Sequence, residues 1–212
     1  MTIFDQLFTP LVEAQRFYGI AVAKVSSNVD EDGLGRVKVT YPWLSDTDTS
    51  HWARIATPMA GKERGFFFLP EVGDEVLVAF EHGMIEFPYV LGGLWNGVDK
   101  PPEKKDEQTN RRTIKSTSGH LICLDDSDGK EKIEIIDKSG ANSIIIDTAN
   151  DTMTITANGD LTIQSSGGKL LLSGSKGVEI NTDENLDVTA SKKMNLKAGP
   201  ELVIKGNKVK IN

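Results

Sequence analysis

The C-terminal half of the chain repeats a short apolar couplet, and this repeat restricts the possible folds more than any other feature. Two apolar residues with one residue between them recur as Ile133/Ile135, Ile144/Ile146, Met153/Ile155, Leu161/Ile163 and Leu170/Leu172. The series continues as Val178/Ile180, Leu186/Val188, Met194/Leu196, Leu202/Ile204 and Val209/Ile211. First members lie 11, 9, 8, 9, 8, 8, 8, 8 and 7 residues apart, so the register settles toward an octad. Gly, Asn, Asp, Ser, Thr and Lys fill the intervals. Such a couplet is a short strand with one buried face, and eight residues for strand plus turn leave no room for a helix. Each unit buries about two small side chains, so copies must stack into a shared core. Three octads forming one coil of a single chain satisfy the pattern, and so do three interleaved chains.

Aromatic residues decide how that core must be built. Every Phe, Trp and Tyr lies at or before Trp95. A globular core normally draws much of its buried area from aromatics, so the second half must rely on small aliphatics. A thin prism of one chain is poorly placed to do that, whereas three chains sharing a core and their strand edges are better placed. The expectation is therefore an intertwined trimer. Its core runs from Ile144 and Ile146 to Leu202 and Ile204, taking both members of every couplet between them.

The first half follows a different grammar. After an amphipathic-looking stretch at residues 2–17, strands are expected at 18–25, 35–41, 51–56, 65–69, 75–80 and 89–91. In GRVKVTY, alternation sets Val37 and Val39 on one face and Arg36, Lys38 and Thr40 on the other. Short strands broken by Gly, Pro and Asp turns, within a hundred residues, point to a small closed barrel. Residues 96–112, NGVDKPPEKKDEQTNRR, are polar and lack apolar periodicity; they read as a linker.

Charge and chemistry exclude several classes. The net charge is −7. Residues 1–100 hold 8 Lys/Arg against 14 Asp/Glu, a balance of −6, which argues against nucleic acid as a ligand. No apolar run approaches the roughly 20 residues of a membrane span, and the acidic, interrupted N-terminus does not read as a signal peptide. His51, His82 and His120 are too far apart in sequence for a ligand set. Cys123, within HLICLDD, reads as a small buried hydrophobe. Asp125-Asp126-Ser127-Asp128-Gly129 lacks the ligand spacing of a calcium loop and reads as a tight turn. Asp30, Glu31 and Asp32 read as a solvated loop, and Trp43, Trp52 and Trp95 as core or contact residues. Gly167, Gly168, Gly174 and Gly177 fit turns rather than a phosphate loop. No catalytic residue, cofactor site or metal site is expected.

Three stretches carry a resemblance: GLGRVKVTYPW, then HWARIATPMAGKERGFFFLPEVGDEVLVAFEHG, then PYVLGGLWNGVDKPP. Together they resemble the OB-fold domain of the phage baseplate assembly protein V family and of the valine-glycine repeat spikes of type VI secretion. TSGHLICLDDSDGKEKIEIIDKSGANSIIID is similar to the segment where those spikes enter their β-helix. The resemblance implies an all-β protein. It would place a hub-contacting segment at 1–17, an OB-fold barrel at 18–95, a linker at 96–112 and a triple-stranded intertwined β-helix at 113–212. It implies a structural, non-enzymatic central spike that is made in the cytoplasm and carried in the baseplate of a phage tail or contractile injection particle. That spike would dock on a separate trimeric hub and pierce a target envelope, meeting the target membrane only on injection. A tip-capping protein would bind near Val209, Ile211 and Asn212. A β-solenoid adhesin or carbohydrate-binding protein is the competing class, but it would need exposed aromatics on the repeats. A β-helical lyase or hydrolase would need clustered acids on one repeat face.

Overall fold

Alternating small apolar residues build the first domain, and its strands close on their own inner face. The computed structural model describes residues 16–211. β1 (Ile20–Ser27) pairs antiparallel with β2 (Lys38–Tyr41) and with β7 (Glu75–Phe80). β3 (Ser45–Thr49) adds to β2, and β8 (Pro88–Gly93) adds to β7. β4 (Arg54–Ile55) runs parallel to β8, giving the sheet order β3-β2-β1-β7-β8-β4. A bridge between Val37 and Ala53 links the far sides of this sheet and curls it into a barrel. Between β4 and β7, β5 (Ala60–Gly61) and β6 (Arg64–Gly65) form a two-stranded hairpin. A single 3-10 turn spans Glu81–Gly83.

The core takes every second residue of the strands: Ala21, Ala23 and Val25, then Val37, Val39 and Tyr41, then Val76, Val78 and Phe80. Val37 and Val39 both face inward, as alternation requires. Phe17 closes one end, its ring 5.3 Å from Trp43 and 5.5 Å, edge-on, from Phe80.

Four sequence readings change here. The expected strand at 65–69 keeps only Gly65; Phe66, Phe67 and Phe68 lie outside any ladder and are exposed. β3 was not expected, because SDTDT has no apolar alternation and is held only by its ladder to β2. None of the tryptophans joins the core, which leaves the contact half of that reading. Trp43 and Trp95 are exposed, and Trp52 is clasped from outside by Lys38 and Arg36, 4.8 and 5.6 Å from its ring. Nor is the 30–36 loop merely solvated. Asp30, with a side chain only 3% exposed, accepts Nε and Nη2 of Arg36 at 2.8 Å each, and the amides of Asp32 and Leu34 at 3.2 Å. The Arg36 guanidinium holds this carboxyl well below the ordinary carboxylate range.

A second sheet follows: β9 (Arg111–Lys115), β10 (Leu121–Asp125), β11 (Lys132–Ile136), β12 (Ser143–Asp147) and β13 (Thr152–Thr156), an antiparallel meander in chain order. β9 begins two residues inside the stretch that reads as a linker. Aspartates close the hairpins. Asp125 accepts the Ser127 amide at 3.0 Å, Asp137 accepts Asn142 Nδ2 at 3.0 Å, and Asp147 accepts Asn150 Nδ2 at 3.0 Å. Hydrogen bonds from Asn142 and Ser139 hold the Asp137 carboxyl well below its usual range. The Asp125–Gly129 segment is thus a turn, with Gly129 at φ +70°.

The chain divides between Asn158 and Gly159. Among the described residues, the second unit contains no strand, and every side chain in it is exposed. Among the described residues, the octads after Asn158 form no strand ladder.

Candidate functional site: an uncovered apolar sheet face

Register fixes which side chains share a face of the second sheet. Ile114, Ile122, Ile135, Ile144 and Ile155 stand opposite one another in a single cross-strand row. Leu124, Ile133, Ile146 and Met153 form the adjacent row, with Arg112 at its end. All nine apolar side chains are between 38% and 64% exposed. Two complete rows of aliphatics facing solvent form a continuous patch rather than scattered exposed residues.

The opposite face mixes charged groups with Leu121, Cys123, Ile136 and Ile145 and is the better covered of the two. Arg111 on β9 meets Glu103 at 3.3 Å, Asp125 at 3.2 Å and Glu134 at 3.4 Å. Lys132 reaches Glu134 at 2.9 Å, and Thr113 donates to Glu103 at 2.9 Å. Hydrogen bonds from Ser127 draw the Asp125 carboxyl below its ordinary range. Cys123 lies among these groups, fully buried, with Thr113 Oγ1 3.6 Å from its sulfur. It is a packing residue, as its alternating context indicates. An ordinary two-faced sheet buries its aliphatics and wets its charges; here two rows of aliphatics are wet while a charged cluster is covered.

The couplets continue the pattern into the second unit. From Leu161 and Ile163, through Leu170, Leu172, Val178, Ile180, Leu186, Val188, Met194 and Leu196, to Leu202 and Ile204, exposure runs from 45% to 66%. Val209 and Ile211 are exposed as well, while Asn212 lies outside the described residues. So does most of the 1–17 segment; of it, Arg16 and Phe17 are described. The structure brings the early core residues Ile144, Ile146, Met153 and Ile155 together on one face. The sequence series began at Ile133 and missed Ile114, Ile122 and Leu124. The signal was present in the I-x-L spacing around Cys123.

The histidines remain dispersed. His51 and His82 lie on the barrel, and His120 Nδ1 accepts the Lys138 amide at 3.2 Å. Among the described residues there is no cluster of three or more potential metal ligands, and no helix is long and apolar enough to cross a membrane.

A family model described as the type VI secretion system/phage-baseplate injector OB domain matches residues 21–95, the barrel. The type VI secretion system spike protein VgrG5 of Pseudomonas aeruginosa is 31% identical over 144 residues, 64% of this chain and 18% of that protein. The type VI secretion system spike protein VgrG3 of Vibrio cholerae is 28% identical over 124 residues, 57% of this chain and 12% of that protein. The actin cross-linking toxin VgrG1 of Vibrio cholerae is 30% identical over 112 residues, 48% of this chain and 10% of that protein. The chain therefore spans between a tenth and a fifth of these relatives' length. A match of 144 residues is longer than everything up to Trp95, so the likeness passes beyond the barrel into the second sheet. Residues 21–95 thus match the injector OB domain, and the likeness of the chain to type VI spike proteins continues beyond them.

Proposed function

We propose that the chain is the central spike of a contractile tail or injection-system baseplate and works as a homotrimer without catalysis. The observation that carries this reading is the double aliphatic row on β9–β13, uncovered in the single chain and continued by the exposed octads. Three copies turning these faces inward would bury them together. Their octads, which find no strand partner in one chain, would then pair between chains as a triple-stranded intertwined β-helix. The shared core would run from Ile144 and Ile146 to Leu202 and Ile204.

In this reading the OB barrel, with the 1–17 segment, docks on a separate trimeric hub. Sheath contraction supplies the energy, and the β-helix transmits force to a small area of the target envelope. A small capping protein binds around Val209, Ile211 and Asn212, where apolar side chains and strand edges need cover. The actin cross-linking named for VgrG1 belongs to that larger protein and is not assigned to this chain.

Two measurements test the reading. Light scattering at micromolar concentration is expected to give three times 23.1 kDa. Gold labelling of an affinity tag on this protein in purified particles is expected to mark the centre of the baseplate. A folded monomer, or label along the sheath, contradicts it.

A further inference from the structure

The barrel carries an apolar arm that the described residues of its own chain leave largely exposed. Residues 56–70 leave β4 and return toward β7 through the β5–β6 hairpin. The arm is held in shape. Phe66 N donates to Met59 O at 3.0 Å, and Thr57 Oγ1 donates to Phe66 O at 3.0 Å. Gly65 sits at φ +150°, where an added Cβ would lie 2.6 Å from the Met59 carbonyl oxygen. Phe66 and Phe68 stack with centroids 6.4 Å apart, while Phe67 turns back against Gly35. Yet these three rings are 50%, 78% and 65% exposed, and they line an open groove of about 970 Å³ together with Leu34, Ile55 and Val90. A constrained hairpin that holds three phenyl rings in solvent has the character of a docking element.

The barrel's outer wall carries a second exposed apolar surface. Ile20 and Val22 on β1 and Leu91 on β8 are 59%, 44% and 45% exposed, on strands that flank β7. Arm and wall are different surfaces, so pairing between copies is head-to-tail, and head-to-tail contacts close into rings when the rotation permits. Three copies joined through the second sheet supply that rotation. The arm is also continuous with that sheet: Thr117 Oγ1, in the β9–β10 turn, lies 3.4 Å from Glu71 Oε1 at the arm's root. Ile114 and Ile122, the start of the first apolar row, flank the same turn.

We propose that in the trimer the Phe66/Phe68 arm of each copy packs on the Ile20, Val22 and Leu91 wall of the next copy, locking the three barrels into a ring. This rests on the three-chain reading above and adds a second interface, independent of the sheet core.

The arm carries Lys62 and Arg64, both exposed in the single chain, so trypsin reports whether it is seated. The full-length wild type, the double variant Phe66→Asp/Phe68→Asp and the wall variant Val22→Lys are sized by light scattering and then digested. Circular dichroism confirms their fold. All three are expected to be trimers, with both variants cut at Lys62 and Arg64 at least about tenfold faster than wild type. Cleavage at Lys130, in the β10–β11 turn, should be unchanged. Val22 already faces outward, so its variant keeps the test decisive if the double variant disturbs the hairpin. Equal arm cleavage in a wild-type trimer and in both variants overturns the arm contact while leaving the trimer intact. Protection that appears only in whole particles assigns the arm to another baseplate protein and also overturns it. A monomeric wild type overturns the trimer reading itself.

Discussion

Replacing Ile135 with aspartate separates a shared core from an ordinary exposed face. Ile135 lies in the middle of the first apolar row, opposite Ile122 on β10 and Ile144 on β12. In the single chain it is 47% exposed, so a carboxylate there stays hydrated and costs the isolated fold little. In a trimer closed on this face the remaining half of the side chain is buried. Full burial of an isoleucine is worth about 1.5–3 kcal/mol, so assembly gains roughly 1 kcal/mol per copy at this site. The Asp variant loses that gain in three copies and adds an effective desolvation penalty of several kcal/mol for each ion. The sum is on the order of 10 kcal/mol per trimer, about seven powers of ten in the assembly constant. Thr154→Asp, on β13 and pointing to the opposite face, is the control and is expected to leave assembly unchanged. Sedimentation at micromolar concentration should give 23.1 kDa for Ile135→Asp and three times that mass for wild type and Thr154→Asp. Near-ultraviolet dichroism from Trp43, Trp52 and Trp95 should persist in the monomer, because the barrel does not depend on the face. Burial raises an aspartate pKa, so acidifying toward pH 4 should restore some trimer. A trimeric Ile135→Asp, or equal disruption by both variants, refutes the inward-face argument.

Deeper in the repeat, Ile163→Asp should lower trimer yield and melting temperature by far more than Thr162→Asp; equal effects would place the inward face elsewhere. In the barrel, the depressed Asp30 pKa means its ion pair stabilises the fold above about pH 4, the unfolded value. That contribution is lost as pH falls through the lower folded value. Asp30→Asn should therefore melt lower at pH 7 and show a shallower loss of melting temperature between pH 4 and 2; parallel profiles would show that the Arg36 clamp adds no stability. Deleting residues 201–212 should abolish binding of a tip-capping protein while hub binding survives, as read by co-purification of each partner; retention of the cap would move its site away from the last couplets.

What the sequence revealed follows from where burial is one-sided. β1, β2 and β7 were legible because Ala21, Ala23, Val25, Val37, Val39, Val76 and Val78 alternate with outward residues and all reach the core. β3 was invisible because Ser45–Thr49 contributes ladder hydrogen bonds and no apolar residue. The run at 66–68 was misread because an apolar triplet has the same composition in a buried strand and in an exposed arm. Asp30 was misread because its partner Arg36 sits beyond the turn, and only the folded loop brings two nitrogens of the guanidinium within 2.8 Å. The couplets were legible as a one-faced pattern, but their partner was not: period tells which side is apolar and says nothing of what covers it.

That last gap connects the fold to the proposed work of the protein. Within one chain, β9–β13 covers Arg111, Asp125 and Glu134 and leaves two aliphatic rows in water, an arrangement that forfeits hydrophobic stabilisation. The forfeited area is recovered only if another apolar surface arrives, which couples completion of the spike to assembly. The barrel holds its own core. The octads have no aromatic residue and, among the described residues, no ladder to hold them. Under the proposed trimer, the sheet is where assembly would begin. It is ordered in the single chain, it presents its rows in register, and β13 leaves one strand edge free at the point where the octads start. A needle nucleated there would lengthen one octad at a time away from the barrel. Each new level would add strand pairs between chains, and stiffness along the axis would come from the same ladders that hold the three copies together.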